Sequence, residues 1–414
     1  MHRKLKALIL AVLTLFAVAA PALAETTITF GMWDENQYPY YQELMKMFMA
    51  QNPDIKVEIQ LTPWNEYWTK LDAAAGAKND PDTYWMNINM PKYAEAGVLE
   101  RLDGWIEKDG VNMADWSEGA VSMYNYKGTQ WALPINADSV VVAFNKALFD
   151  KYGVAHPAEG WTWDDMVATG AQLRDAIAKA GGGEYPLVME LDGQPSYYQF
   201  ITQEGVNLFG TEGKKSGWAE PGTVKAFEDV LGLMDEKIMP ENMVLSDTKG
   251  TDLFISAKAC MVYIGSWKAT VLENSSIAGD IGLVPMPAKQ NNKCAVGGIA
   301  YALSANSQNK EEGWQLLKYL GGQEAMEYLS SNGVCLPTFI AAQKSYAPQF
   351  KNIPGEVFVQ QANISAPYPW VPLSSQWNSD ETEIVTGIFN RDITPEEGCN
   401  RIAGIIEEVM AENQ

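Results

Sequence analysis

Between residues 26 and 86 the apolar pattern changes period several times. Residues 26–30 have strand composition. Tyr41, Leu44, Met45, Phe48 and Met49 then recur at helical spacing, and Asn52-Pro53 stops that helix. Ile55–Leu61 alternates with period two, a second helix is predicted over about 65–77, and Asp80-Pro81-Asp82 turns into a short strand, Thr83–Met86. This strand–helix–strand–helix–strand order predicts α/β architecture, with an open parallel sheet and helices on its faces. In such sheets ligands bind beyond the carboxyl ends of the strands. Those ends read Gly31-Met32-Trp33-Asp34, Thr62-Pro63-Trp64 and Trp85-Met86-Asn87, each with a tryptophan and two with a polar side chain beside it.

After Leu133-Pro134-Ile135-Asn136-Ala137-Asp138 a new strand is predicted over 139–146. Helices are predicted over 163–179 and 223–237, a loop over 246–251, and a strand over 259–264 that runs into Gly265-Ser266-Trp267. Gly297-Gly298 opens a further strand, and the chain ends in a helix over 394–411. A chain of 414 residues is too long for one ordinary domain. The sequence contains no low-complexity linker, so two lobes joined by several crossing segments, a hinge, are expected rather than beads on a string.

His2, Arg3, Lys4 and Lys6 precede a run from Ala7 to Ala20 that is apolar except for Thr14. Pro21 breaks the run, and Ala22-Leu23-Ala24 is a small-x-small cleavage pattern, so residues 1–24 read as a secretory signal peptide cleaved after Ala24. The run is shorter than the roughly 20 apolar residues of a membrane-spanning helix, and no Cys follows the cleavage site to take a lipid. A periplasmic location is expected.

The formal net charge of −22 argues against nucleic acid or an anionic membrane as partner. His156 is the one histidine outside the leader, which makes zinc sites and Ser-His or Cys-His catalysis poor readings; no metal, cofactor or catalytic residue is expected. Cys260, Cys294, Cys335 and Cys399 contain no Cys-x-x-Cys pair; four cysteines allow three disulfide connectivities, and the sequence does not choose among them. Cys260 lies in an apolar strand and reads as a small buried hydrophobe.

Five segments together resemble the extracellular solute-binding proteins of ABC-type sugar importers, the maltose-binding-protein-like family. They are the first strand and helix ending at Phe48-Met49-Ala50-Gln51-Asn52-Pro53; Asp80-Pro81-Asp82-Thr83-Tyr84-Trp85; Trp131-Ala132-Leu133-Pro134 with Phe144-Asn145-Lys146-Ala147-Leu148-Phe149; Ala257-Lys258-Ala259-Cys260-Met261-Val262-Tyr263-Ile264-Gly265-Ser266-Trp267; and Gly297-Gly298 with the helix around Trp314. Two departures stand in the fourth segment, Ala257 where the family favours Gly and Cys260 where it favours Ala. The resemblance implies a two-lobed periplasmic-binding-protein fold with a ligand cleft at the hinge. It divides the chain into an N-terminal lobe of 25–137 and 295–337 and a C-terminal lobe of 138–294 and 338–414. It further implies a monomer that binds a neutral sugar or oligosaccharide and delivers it to ABC permease subunits in the membrane.

A pyranose offers an apolar C–H face and a rim of hydroxyls, which suit indoles and planar amides or carboxylates. A buried hydroxyl left unpaired costs about 1–3 kcal/mol, so the rim must be matched group by group. The chain has 14 Trp but five Arg, none in these motifs, which favours a neutral ligand over an anionic one. By family position, Trp85, Trp267 and Trp377 are expected to stack on ligand, while Trp33, Trp64 and Trp370 are open between stacking and groove filling. Asp34, Asn36 and Gln37 fall in the first strand-to-helix loop, Asn87 follows Trp85, Asp138 sits where the family often has a hydroxyl-binding carboxylate, and Gln194 lies in a second-lobe ligand loop. Each polar group has a competing role as a cap or turn residue. Gly298 is expected to let backbone approach the ligand, or only to mark a bulge.

Two rival readings differ in class. A secreted glycosidase would need two carboxylates about 5–9.5 Å apart, but no motif marks such a pair. A quaternary amine could be held in an aromatic cage, which would not need the Asn, Gln and Asp that accompany the indoles here.

Overall fold

The structure, a computed structural model, describes residues 25–209, 216–371 and 373–412. The expected signal peptide lies outside the described residues. Strands β1 (Thr26–Met32), β2 (Ile55–Leu61) and β3 (Thr83–Met86) alternate with helices α1 (Tyr38–Gln51) and α2 (Trp64–Gly76). They are followed by strands β4 (Ala132–Pro134), β5 (Val140–Asn145), β6 (Tyr185–Val188), β7 (Ala259–Gly265), β8 (Ile281–Val284), β9 (Cys294–Val296), β10 (Ala300–Leu303) and β11 (Ser365–Pro367).

Among the described residues the long strands form two separate mixed sheets, ordered β2-β1-β3-β10-β4 and β8-β5-β7-β6, while β9 pairs with β11. The first three strands are mutually parallel, as the alternation predicts. The sheet is not purely parallel, however. β10 pairs antiparallel with both β3 and β4, because the chain returns to this sheet from the second one and enters at the end where the other strands finish.

Each sheet has its own core. The first buries Ile28, Phe30, Leu44 and Phe48 against Trp314, Leu317 and Leu320 of the helix Lys310–Gly321; the second buries Val140–Ala143 and Met261–Ile264 among Phe200, Phe227, Phe358 and Ile406. The chain passes between sheets at 135–139, again between β8 and β10, and a third time after Phe339. Two α/β lobes therefore share a hinge of crossing backbone.

The expected loop over 246–251 is instead the junction of two short helices, Asn242–Asp247 and Gly250–Ile255. Burial of Leu245, Leu253 and Phe254 overrides the weak local propensity. Ala257 has φ 57°, the left-handed region that an L side chain enters at a cost of about 1–2 kcal/mol. Glycine would take this conformation without that cost. All four cysteines are buried and free, and no described helix is long and apolar enough to cross a membrane.

Candidate functional site

Strand direction brings the site together. Because β1, β2 and β3 are parallel, their carboxyl ends share one edge, and Trp33-Asp34, Trp64 and Asn87 follow directly from those ends. β4 runs the same way, since both it and β3 oppose β10, so residues 135–138 leave from that edge and 297–299 enter at it. In the second sheet β6 and β7 are parallel and end toward Gln194 and Trp267. β5 runs opposite to β7 and pairs Val140 with Gly265, so it starts where β7 ends. Asp138 therefore stands on both edges at once.

Short hydrogen bonds stitch this joint. The Asp138 amide donates to the Gly297 carbonyl at 3.0 Å, and Asn136 Nδ2 donates to Asp138 Oδ1 at 2.7 Å. The Ile299 amide donates to Asn136 Oδ1 at 2.8 Å. Ser266 N donates to the Ser139 carbonyl at 2.8 Å and Ser139 N to Ser266 Oγ at 3.2 Å, which fixes the start of the Trp267 loop beside Asp138. Gln194 reaches across from the second lobe: a Cβ added at Gly297 would lie 3.1 Å from its Oε1. Gly298 packs against the other crossing segment. Its missing side chain makes room for the Asn136 carbonyl, which would be 2.3 Å from an added Cβ, so the close approach is hinge backbone to hinge backbone.

The electrostatics are unusual for a hinge. Asp138 is 9 % exposed. Burial pushes its carboxyl up to about 7, the charge of Asp34 adds to the rise, and the Asn136 hydrogen bond opposes it. The Asp192 carboxyl is also raised: desolvation by the protein around it outweighs the hydrogen bond from the Gly193 amide, and the charge of Glu190 adds to the rise. No Lys or Arg among the described residues is ion-paired to Asp34, Asp138 or Asp192. Nearby buried polar atoms lack partners within the described protein: Gln37 Oε1, Gln194 Nε2 and the Tyr124 hydroxyl. Buried polar groups of that kind normally find a partner, and a hydroxyl-rich ligand supplies both donors and acceptors.

The aromatic residues divide by burial. Trp33 is half-buried, with its ring edge-on to Trp64 at 5.3 Å and to Trp85 at 4.9 Å. Trp64 is 47 % exposed. Trp267 is half-buried, and its six-membered ring lies over Gly265, where an added Cβ would sit 2.2 Å from it. Trp370 is half-buried as well. Trp85 and Trp377 depart from the expectation of direct stacking. At 0 % and 1 % exposure neither has a face open to solvent; Trp85 wedges between Trp33 and Tyr41, and Trp377 packs on Phe209. Both side chains are sealed in the packed interior, with Trp85 in the core of the first lobe and Trp377 in that of the second.

Among the polar candidates, Asp34 Oδ1 accepts from the Asn36 amide at 2.8 Å and from Asn36 Nδ2 at 3.1 Å. Asn36 is thus held on the exposed entry turn of α1. Gln37 occupies the N-cap position of α1, but its side chain makes no cap bond. Asn87 Oδ1 accepts from the Asn89 amide, which is a turn role. Gln194 lies in a π-turn, Gly193–Tyr197, a form often found at functional sites.

Sequence reasoning missed Tyr124, Asn136, Asp192 and Trp68. Trp68 carried a legible signal, since it is four residues after Trp64 on one helix face and stacks edge-on to it. The others carried none, because their placement depends on the crossing segments. No cluster of three or more metal-ligating side chains occurs among the described residues.

The sequence pattern of the family described as bacterial extracellular solute-binding protein matches residues 33–327. A Brucella abortus binding protein is 26 % identical over 347 residues, 81 % of each chain. The maltotriose-binding protein of Pyrococcus abyssi is 24 % identical over 329 residues, 77 % of this chain and 67 % of that one. Among solved structures, an ABC substrate-binding protein from Listeria monocytogenes in complex with cycloalternan superposes with a TM-score of 0.86 at 24 % identity, covering 94 % of this chain and 99 % of that one.

Proposed function

The chain belongs to the bacterial extracellular solute-binding proteins, and from that premise we propose that it is the substrate-binding component of an ABC-type importer, capturing a neutral sugar or oligosaccharide between its lobes and delivering it to a membrane permease. The observation that carries this reading is the joint at Asp138. There a desolvated carboxylate, without a cationic partner among the described residues, feels the charge of Asp34 from one lobe and lies beside the Gln194 and Trp267 loops of the other. Neutral hydroxyls are the fitting complement, because each donates to a carboxylate without bringing a charge. The half-open rings of Trp33, Trp64 and Trp267 offer apolar faces beside those acceptors. The names of the maltotriose-binding relative and the cycloalternan-bound neighbour point to the same ligand class.

No covalent step is involved. Ligand held from both sides adds contacts that exist only when the lobes are together and so shifts the hinge toward the closed state. The protein acts as a monomer in the periplasm after its leader is removed at Ala24. A thermal-shift and calorimetric series with maltose, maltotriose and glycine betaine tests the reading. The oligosaccharides are expected to raise the melting temperature by mass action and to be recovered uncut. Stabilisation by betaine alone, or cleavage of the sugars, would refute it.

A further inference from the structure

We infer that Glu381 is a positioning residue of the second lobe: its carboxylate, accepting hydrogen bonds from Tyr197 and Tyr198, holds the Gly193–Tyr197 turn in the bulged form that offers Asp192 and Gln194 to the cleft. The inference rests on the proposed function in taking those two side chains as ligand contacts.

Glu381 is 3 % exposed, on the helix Asn378–Phe389 that begins directly after Trp377. Its Oε1 accepts from the Tyr197 hydroxyl at 3.0 Å and also from the Tyr198 hydroxyl. These tyrosines are the last residue of the π-turn and the first of the helix Tyr198–Gln203. Their rings continue the grip. Tyr198 stands edge-on to Tyr368 at 5.1 Å, and both lie against Gly193, where an added Cβ would be 2.8 Å from the Tyr198 ring and 3.1 Å from the Tyr368 hydroxyl. Carboxylate, tyrosine pair and turn thus form one continuous contact.

Two features show that this carboxylate is more than packing. The π-turn is a rare departure from helical geometry, of a kind frequent at functional sites, and its last residue is one of the two tyrosines bonded to Glu381. A buried carboxylate is also costly unless it is compensated, and no Lys or Arg among the described residues is ion-paired to this one. Burial pushes it up to about 7, the two tyrosines oppose the rise, and the charge of Asp192 adds to it. An apolar residue would spare that cost. What only an acceptor oxygen provides is a pair of directional bonds to the two hydroxyls.

The test uses Glu381→Gln, which keeps an acceptor oxygen, Glu381→Leu, which removes it, and Tyr197→Phe/Tyr198→Phe, which keeps both rings but removes the donors. Hydrogen–deuterium exchange is read without ligand, and maltotriose affinity by calorimetry. For Glu381→Leu and the double Phe variant, amides 193–200 are expected to exchange at least tenfold faster, with the β1 and β2 amides unchanged, and maltotriose binding to weaken at least tenfold. Glu381→Gln is expected to stay within about threefold of wild type on both readouts. Wild-type exchange at 193–200 in the double Phe variant overturns the inference, as does equal loss in Glu381→Gln and Glu381→Leu. Should Glu381→Leu fail to fold, the double Phe variant decides. If the wild-type protein binds no maltotriose, the sugar reading is what fails, and the exchange comparison still decides the role of Glu381.

Discussion

Replacing Asp138 by Asn should make the ligand-free protein more stable and a poorer binder. The carboxyl is pushed from an ordinary 3.8 to about 7, chiefly by burial. The folded state therefore holds this proton more tightly than the unfolded chain does, and unfolding free energy falls as pH rises through the interval between the two values. At about 1.4 kcal/mol per pH unit, the penalty on the folded state is roughly 2 kcal/mol at pH 5 and roughly 4 at pH 8, where it levels off. Asn carries no such penalty, and its Oδ1 can still accept from Asn136 Nδ2. Urea unfolding of both proteins without ligand, at pH 5 and pH 8, should show a stabilisation by Asp138→Asn that grows by about 2–3 kcal/mol between them. Calorimetry with maltotriose at pH 8 should show affinity reduced at least roughly tenfold, about 1.4 kcal/mol. A variant no more stable than wild type at pH 8, or an advantage that shrinks with rising pH, would refute the argument that Asp138 is held uncompensated until ligand arrives.

Three further outcomes follow from the geometry. Gly265→Ala puts a methyl 2.2 Å from the Trp267 ring; the indole must lift, and maltotriose affinity by calorimetry should drop at least about tenfold while the first lobe's amide exchange is unchanged. Gly298→Ala places a Cβ 2.3 Å from the Asn136 carbonyl, backbone against backbone, so urea unfolding should show a loss of about 1–3 kcal/mol. Thiol titration with an aromatic disulfide at neutral pH should be very slow in the native protein, because burial pushes Cys260 and Cys399 up to about 12 and Cys294 up to about 11; four thiols should react once the chain is unfolded.

Much of the candidate site's placement was legible because period and order are local properties. The switch between two-residue and helical spacing placed β1, α1, β2, α2 and β3, and parallel pairing then sent Trp33, Asp34, Trp64 and Asn87 to one edge. Which indole has an open face was not legible. Trp33 and Trp85 stand at the ends of neighbouring strands, and family position favoured Trp85 as the stacking ring. One is half-exposed and the other sealed, because Tyr41 of α1 closes over Trp85. The same holds for Gly298, whose need for glycine comes from Asn136, far away in sequence.

The order of strands and helices, the indole-bearing strand ends and the scarcity of arginine came from the chain itself, since they require only spacing and residue type. The reversed β10, the charge effect of Asp34 on Asp138, the bonds of Glu381 to Tyr197 and Tyr198, and the four unpaired cysteines were decided by the tertiary structure alone. Burial and through-space charge depend on which distant segments the crossing backbone brings side by side, and no local pattern encodes that.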